Sequence, residues 1–217
     1  MQFHEGDWRR ACGIYREWFK ATFGLFDPSK DWLRQATAVQ DTMFLLPEGN
    51  INYRFEDIPQ WARDAGQFGV KALLISGWHR GGHDNGYPFY EPDPRLGTWD
   101  ELAAGLAKCH EMGMKVFFFV NIYPIDMDNE WFRRELYQYT QAKDRPTIGY
   151  GWGMGTLAAR MGLTKRLMVS ASPSYPEFRQ ILVNRFRKLA EIGADGIHID
   201  KMVMAGGLEF DTPMSPD

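Results

Sequence analysis

The chain has 217 residues, a formal net charge of −3, 44% hydrophobic and 24% charged residues, the profile of a globular protein long enough for a sizeable core. With 25 Lys and Arg against 28 Asp and Glu, it lacks the cationic surplus that a nucleic-acid or anionic-membrane surface requires. No apolar run reaches the roughly 18 residues of a spanning helix, Met1 to Trp8 carries His4, Glu5 and Asp7 where a signal peptide would have an apolar core, and Cys12 and Cys109 fit neither a disulfide framework nor a metal-ligand spacing. No cofactor is expected.

Taken in order, Trp8 to Phe23 spaces Cys12, Tyr15, Phe19 and Phe23 at helical intervals, which predicts an extra amphipathic helix within an N-terminal extension, residues 1–37. Asp27-Pro28-Ser29 is a turn. Residues 38–217 form the main domain. Ala38 to Leu46 reads as the first strand, stopped by Pro47-Glu48-Gly49-Asn50. Phe55, Ile58, Ala62, Ala65 and Phe68 share a helical face that ends at Gly69, and Ala72-Leu73-Leu74-Ile75-Ser76 is a second strand. Thr98 and Glu101 form a capping box that opens a helix closed by Gly113, followed by the strand Val116 to Val120. A helix holds Trp131, Phe132, Leu136 and Tyr139. The run Gly149 to Gly155 lacks a phosphate-loop ending and reads as a mobile flap with Trp152 over the site. Ser174 with Glu177 opens a last helix closed by Gly193, and Gly196-Ile197-His198-Ile199-Asp200 is the fourth strand.

The joints at Gly69, Gly113 and Gly193 look alike. Each puts a glycine just past a helix, where a left-handed cap needs a residue without Cβ, and a strand two residues later. Helix, glycine, strand in repetition makes βαβ units and a parallel sheet. Continuous apolar strands predict that both faces of that sheet are covered, and no hairpin pattern is present. The long connections all follow strands, which puts the elaboration at the strands' carboxyl ends, where parallel α/β folds bind ligands. Four strands are spent by Asp200, and only 17 residues follow; an eight-stranded barrel takes about 250. The expected fold is therefore α/β, the N-terminal half of a (β/α)8 TIM barrel with about four βα units, cut after strand four, with Met204 to Asp217 as a loop. The remaining half of the barrel is then an expected partner.

Side chains alternate along a strand. Ile197 and Ile199 suit the helix-packed side, which turns His198 and Asp200 towards the barrel axis with Asp200 nearest the mouth. A carboxylate there is costly unless it is paired or used. Asp200 is the candidate catalytic residue; the structural alternative is a loop cap or a pair with Lys201. The loop Trp78 to Pro88 is the richest polar cluster. His79, Asp84 and Asn85 can hydrogen-bond a polar ligand, and Trp78 and Tyr87 can stack on a ring; the alternative is a hydrated loop with its aromatics packed down. Asn121, ending strand three, either binds substrate, orients Asp200 or makes a turn. His198 either contacts a hydroxyl or is a hydrogen-bonded core histidine, and Lys201 joins the substrate shell. His79 and His83 with Asp84 suggest a metal set, but Gly81-Gly82 between them prevents the helix that a four-residue His spacing needs.

The run Gly193-Ala194-Asp195-Gly196-Ile197-His198-Ile199-Asp200-Lys201 resembles the fourth-strand motif of retaining α-glycosidase barrels of the α-amylase and α-galactosidase type, and more closely that of uncharacterised glycoside-hydrolase-like barrels. Asn85-Gly86-Tyr87-Pro88, Leu96-Gly97-Thr98-Trp99, Gly113-Met114-Lys115-Val116 and Asn121 are similar to the strand-two loop, helix and strand three of the same barrels. The resemblance spans about Val39 to Lys201. It implies a carbohydrate substrate and Asp200 as nucleophile, with the general acid on a later strand. The chain differs from the amylase type in having His198 where Arg stands two residues before the nucleophile, and Phe117 where the third strand carries Asp; the α-galactosidase lysine stands after the Asp here, as Lys201. Within the chain Asp84, Glu91, Asp126 and Asp128, all on loops after strands, are the other carboxylates that could partner Asp200; the alternative for each is a solvated loop charge or a helix cap, Asp128 in particular preceding a helix. The alternatives are a non-catalytic carbohydrate-binding barrel and a metal-dependent barrel hydrolase using His79 and His83.

Overall fold

The computed structural model describes residues 4–24, 38–140, 148–150, 167–172 and 174–200. The turn at Asp27-Pro28-Ser29, the Trp152 flap, Lys201 and the tail from Met204 lie outside them. Contacts divide the chain into two units, Met1–Thr37 and Ala38–Asp217. Among the described residues no helix is long and apolar enough to cross a membrane.

The first unit holds α1 (Trp8–Phe23), at the bounds its periodicity predicts. Asp7 caps it by accepting from the Arg9 N–H at 2.9 Å, and Gly24 closes it in the left-handed region. None of its residues is buried; Trp8, Tyr15, Trp18 and Phe23 are exposed, and the last three pack with Phe19 as one aromatic cluster.

In the second unit, β1 (Val39–Met43), β2 (Ala72–Ser76), β3 (Lys115–Asn121) and β7 (Gly196–Asp200) form one parallel sheet in the order β1-β2-β3-β7. The expected first strand is shorter than Ala38 to Leu46 because Leu45 leaves the ladder to bridge Ile51 across the turn at Leu46–Gly49. A 3-10 turn (Phe55–Asp57) leads into α2 (Ile58–Gln67), and α3 (Trp99–Glu111) carries the predicted capping box. There Glu101 N–H donates to Thr98 Oγ1 at 3.2 Å and Thr98 N–H to Glu101 Oε2 at 2.6 Å. The three glycine joints adopt φ of +77°, +72° and +98° at Gly69, Gly113 and Gly193.

One sheet face is the core. Leu73, Ile75, Val116, Phe118 and Val120 are fully buried against Leu102, Leu106 and Cys109 of α3, Trp61 and Ala65 of α2, and Phe178 and Leu189 of α5 (Pro176–Glu191). The other face corrects the expectation that both are covered. In register it carries a row Asp41, Leu74, Phe117, Gly196 and a row Met43, Ser76, Phe119, His198, then the pair Asn121 and Asp200. Leu74, Phe117 and Phe119 are only half-buried, and Asp41 and His198 are exposed. The apolar runs are continuous because both faces carry hydrocarbon, not because both are equally packed.

Three further departures concern short segments. The connection after β3 contains an antiparallel sheet, β4 (Pro124–Asp126), β6 (Leu167–Ser170) and β5 (Ile148–Tyr150) in that order, where no antiparallel pairing and a flap from Gly149 were expected. Strands of three or four residues are too short to show alternation. The helix expected to run from Trp131 to Tyr139 is split into α4 (Glu130–Arg134) and a 3-10 turn (Leu136–Tyr139), because Glu135 sits at φ −142°. Ser174 does not cap α5: Tyr175 holds the cap position without a side-chain bond, and Pro176 supplies the fixed φ of the first turn.

Candidate functional site at the strand ends

Asp200 is the last residue of β7 and lies in register with Asn121, the last residue of β3. Ile197 and Ile199 pack against the hydrophobic core, so the alternation puts His198 and Asp200 on the opposite, half-open face. Asp200 is partly exposed. His198 lies flat on Phe119, with ring centroids 5.5 Å apart and planes at 16°, and the His83 ring meets Phe119 at 4.8 Å.

Asn121 is only 2% exposed. Its backbone is gripped by Tyr90, whose hydroxyl donates to Asn121 O and accepts from Asn121 N–H, both at 2.6 Å. His79 Nε2 has no hydrogen-bond partner among the described residues, and the buried Asn121 carboxamide meets no more than the Tyr87 hydroxyl. Buried polar atoms of this kind take their partner from solvent or ligand. Beside Asn121 the Tyr87 hydroxyl donates to Asp84 Oδ1 at 3.1 Å. Burial pushes the Tyr87 hydroxyl up, with Tyr90 and Asp84 adding to it and the Asn121 carboxamide acting the other way. Burial pushes the His79 imidazole down to about 4, so it is neutral at neutral pH.

The loop that supplies these groups is ordered by its own polar staples. Asp93 Oδ2 accepts from the Gly81 N–H at 2.9 Å while Arg95 donates to both Asp93 oxygens. Burial raises the Asp93 pKa, but the Arg95 guanidinium and the Gly81 N–H outweigh it and hold the carboxyl below its usual range. Asp126 Oδ2 accepts from the Gly86 N–H at 2.7 Å, and His83 N–H donates to Leu45 O at 3.0 Å. Gly77, at φ +64°, lets the chain turn out of β2: a Cβ there would stand 2.4 Å from Leu45 O.

The structure therefore separates the residues singled out by sequence. Asp200 and His198 share the half-open face. Asp84, Asn121, His79 and Tyr87 form one buried polar cluster at the ends of β2 and β3. Trp78 is fully buried, its Nε1 donating to Phe119 O at 3.1 Å, between Tyr90, Trp99 and Phe118; its ring is core, with no face left for a pyranose. Asn85 is turned to the outer side of the loop, its Nδ2 donating to Gly81 O at 2.8 Å. Lys201 lies outside the described residues. Two residues escaped the sequence reading. Tyr90 anchors β3, and Asp41 stands on the half-open face, accepting from Ser76 Oγ at 2.8 Å. Asp41 could have been found from the two-residue period of Val39, Asp41 and Met43. Among the described residues no three His, Cys, Asp or Glu side chains converge as a metal group.

Residues 1–212 match the family described as "Domain of unknown function (DUF6259)". No curated protein sequence matches the chain. Among solved structures it is similar to the α-amylase of Geobacillus thermoleovorans complexed with acarbose, at 16% identity and TM-score 0.58, over 75% of this chain and 39% of that one. It is similar to the α-N-acetylgalactosaminidase NagBb of Bifidobacterium bifidum in complex with GalNAc, at 14% identity and TM-score 0.63, over 91% and 34%. It is also similar to the cyclic α-maltosyl-(1→6)-maltose hydrolase of Arthrobacter globiformis, at 15% identity and TM-score 0.59, over 82% and 46%. The likeness is one of fold: the four-stranded parallel sheet matches part of a TIM barrel, and the chain spans less than half the length of each of these neighbours.

Proposed function

The chain belongs to the DUF6259 family, and from that premise we propose that it supplies the nucleophile-bearing strand ends of a glycoside hydrolase acting on α-linked sugars. The observation that carries this reading is the position of Asp200: the end of the fourth parallel strand, on the half-open face, level with the buried Asn121 carboxamide. Supporting it, the barrels of like fold are named for α-linked saccharides.

In this reading a sugar ring enters over the half-open face. Asp200 attacks the anomeric carbon, and an acid protonates the departing oxygen. The glycosidic bond breaks as the ester to Asp200 forms, and water then hydrolyses that ester with the same acid acting as base. Such retaining chemistry needs the second carboxyl about 5–5.5 Å away. We assign it to a later barrel strand contributed by residues beyond this chain, which also completes the sheet past β1 and β7. His198, Asp84, Asn121 and Lys201 contact sugar hydroxyls. Tyr87 and His79 hold Asp84 and Asn121 in place, and Trp78 supports them from the core. The test is turnover by the barrel-complete protein. Asp200→Asn is expected to abolish hydrolysis of an aryl α-glycoside while sugar binding persists. Retained turnover removes the nucleophile assignment, and retained binding with no turnover in the unsubstituted protein favours a carbohydrate-binding barrel.

A further inference from the structure

A crevice of about 480 Å³ lies on the outer side of the loop after β2, against the start of α4. Its frame is rigid. Asp126 is buried and uses both oxygens, accepting from Gly86 N–H at 2.7 Å and from Asp128 N–H at 2.9 Å. Asn129 accepts from Trp131 N–H at 2.9 Å and donates to Gly86 O at 3.4 Å, so the two rims are tied together. One wall is aromatic: Phe89 and Trp131 meet edge to face at 5.9 Å. The remaining polar groups stay available. Arg80 rests its guanidinium 4.6 Å over Phe89 and has no carboxylate partner among the described residues. The Asp128 carboxylate has no hydrogen-bond partner among them either, and Arg134 meets Glu130 only at 3.5 Å and in the open.

We propose that this crevice is a second saccharide-binding site for a neutral sugar, fed by the loop that also shapes the strand-end site. Its volume falls within the range of small-molecule pockets, which combine an apolar wall with a few fixed polar groups. The balance of charge excludes simpler ligands. The guanidiniums of Arg80 and Arg134 line it together with the carboxylates of Asp126, Asp128 and Glu130, of which Asp126 has both oxygens used and Glu130 already meets Arg134, so neither an anion nor a cation meets a field of one sign. Guanidinium donates only and carboxylate accepts only. A ligand whose every polar group does both, on a ring with apolar C–H edges, satisfies all of them at once. That is the chemistry of a neutral polyhydroxylated ring. The choice of class rests on the carbohydrate reading of the neighbouring strand ends; the site itself does not use Asp200.

Saturation-transfer NMR of the full chain with maltose, lactose and methyl α-N-acetylgalactosaminide, each against glucuronate as the acidic counterpart, tests it. At least one neutral sugar is expected to bind saturably. Arg80→Ala and Asp128→Ala should each weaken it roughly tenfold or more, the value of one charge-assisted hydrogen bond, while Asp200→Asn leaves it within about twofold. Both substituted side chains are at the rim, and a circular dichroism spectrum establishes which variant is folded and decides. Binding of glucuronate alone, binding of none of the four, or unchanged affinity in the folded rim variants overturns the proposal. Loss of turnover on Asp200→Asn in the barrel-complete protein, with crevice binding intact, separates this result from the fate of the strand-end reading.

Discussion

Fully buried, His79 makes stability depend on pH. Burial sets its imidazole at about 4, against the Arg80 carbonyl, which pulls the other way. As pH falls from the ordinary value of 6.5 towards 4, the unfolded chain takes up a proton that the folded chain refuses. Stability present above pH 6.5 is therefore lost across that window, by on the order of 3 kcal/mol. Urea unfolding at pH 7 and pH 4.5 is expected to show this loss, and a His79→Gln protein should lack most of it; an equal loss in both would refute the burial argument. Asp195 acts in a lower window. Burial raises its pKa, but Lys115, the Val116 N–H and His110 outweigh that and hold it depressed. Its contribution is present above the ordinary carboxylate range and disappears only as pH falls through the depressed value. Asp195→Asn should thus weaken the fold at neutral pH and flatten its acid limb below about pH 4, while leaving the window above it unchanged.

At the scale of elements, caps and glycines carry the most specific expectations. Thr98→Ala removes the side-chain acceptor that opens α3 and should cost about 1 kcal/mol in chemical unfolding. Gly77→Ala faces both φ +64° and a backbone oxygen at 2.4 Å. It should cost more than about 2 kcal/mol, and a near-neutral result would mean that the turn out of β2 is not held as described. Gly196 needs no unusual φ; it is small because the Phe117 ring lies over it, 2.7 Å from where a Cβ would be. These elements also show what a sequence discloses. The repeated glycine joint, the Thr98 box and the four parallel strands were legible because each is local or periodic. The antiparallel strands β4, β5 and β6 were not, since three or four residues carry no period. Trp78 was misjudged for a different reason: an indole after a strand suits a stacking platform and a core wedge equally, and only the packing of Tyr90 and Phe118 decides. Asp84 and Asn121 were legible as polar residues at strand ends, but not their burial, which depends on the fold of the whole loop.

The second unit is built on a sheet with one packed and one half-open face. The packed face buries Leu73, Ile75, Val116, Phe118 and Val120 under three helices. The other leaves Phe117 and Phe119 half-covered and, among the described residues, β1 and β7 as open edges. Exposed edges of this kind invite further strands, and the similar barrels are more than twice as long as the stretch matched here. The proposal accordingly expects residues 1–217 alone to bind sugar weakly and to hydrolyse no aryl glycoside, and expects hydrolysis once the further strands are present. The most direct measurement is the rate of aryl α-glycoside hydrolysis by that longer protein with Asp200 intact and with Asp200→Asn. The account predicts a fall of about a thousandfold or more. A substituted protein that hydrolyses within about tenfold of the unsubstituted rate would show that the chemistry does not pass through Asp200.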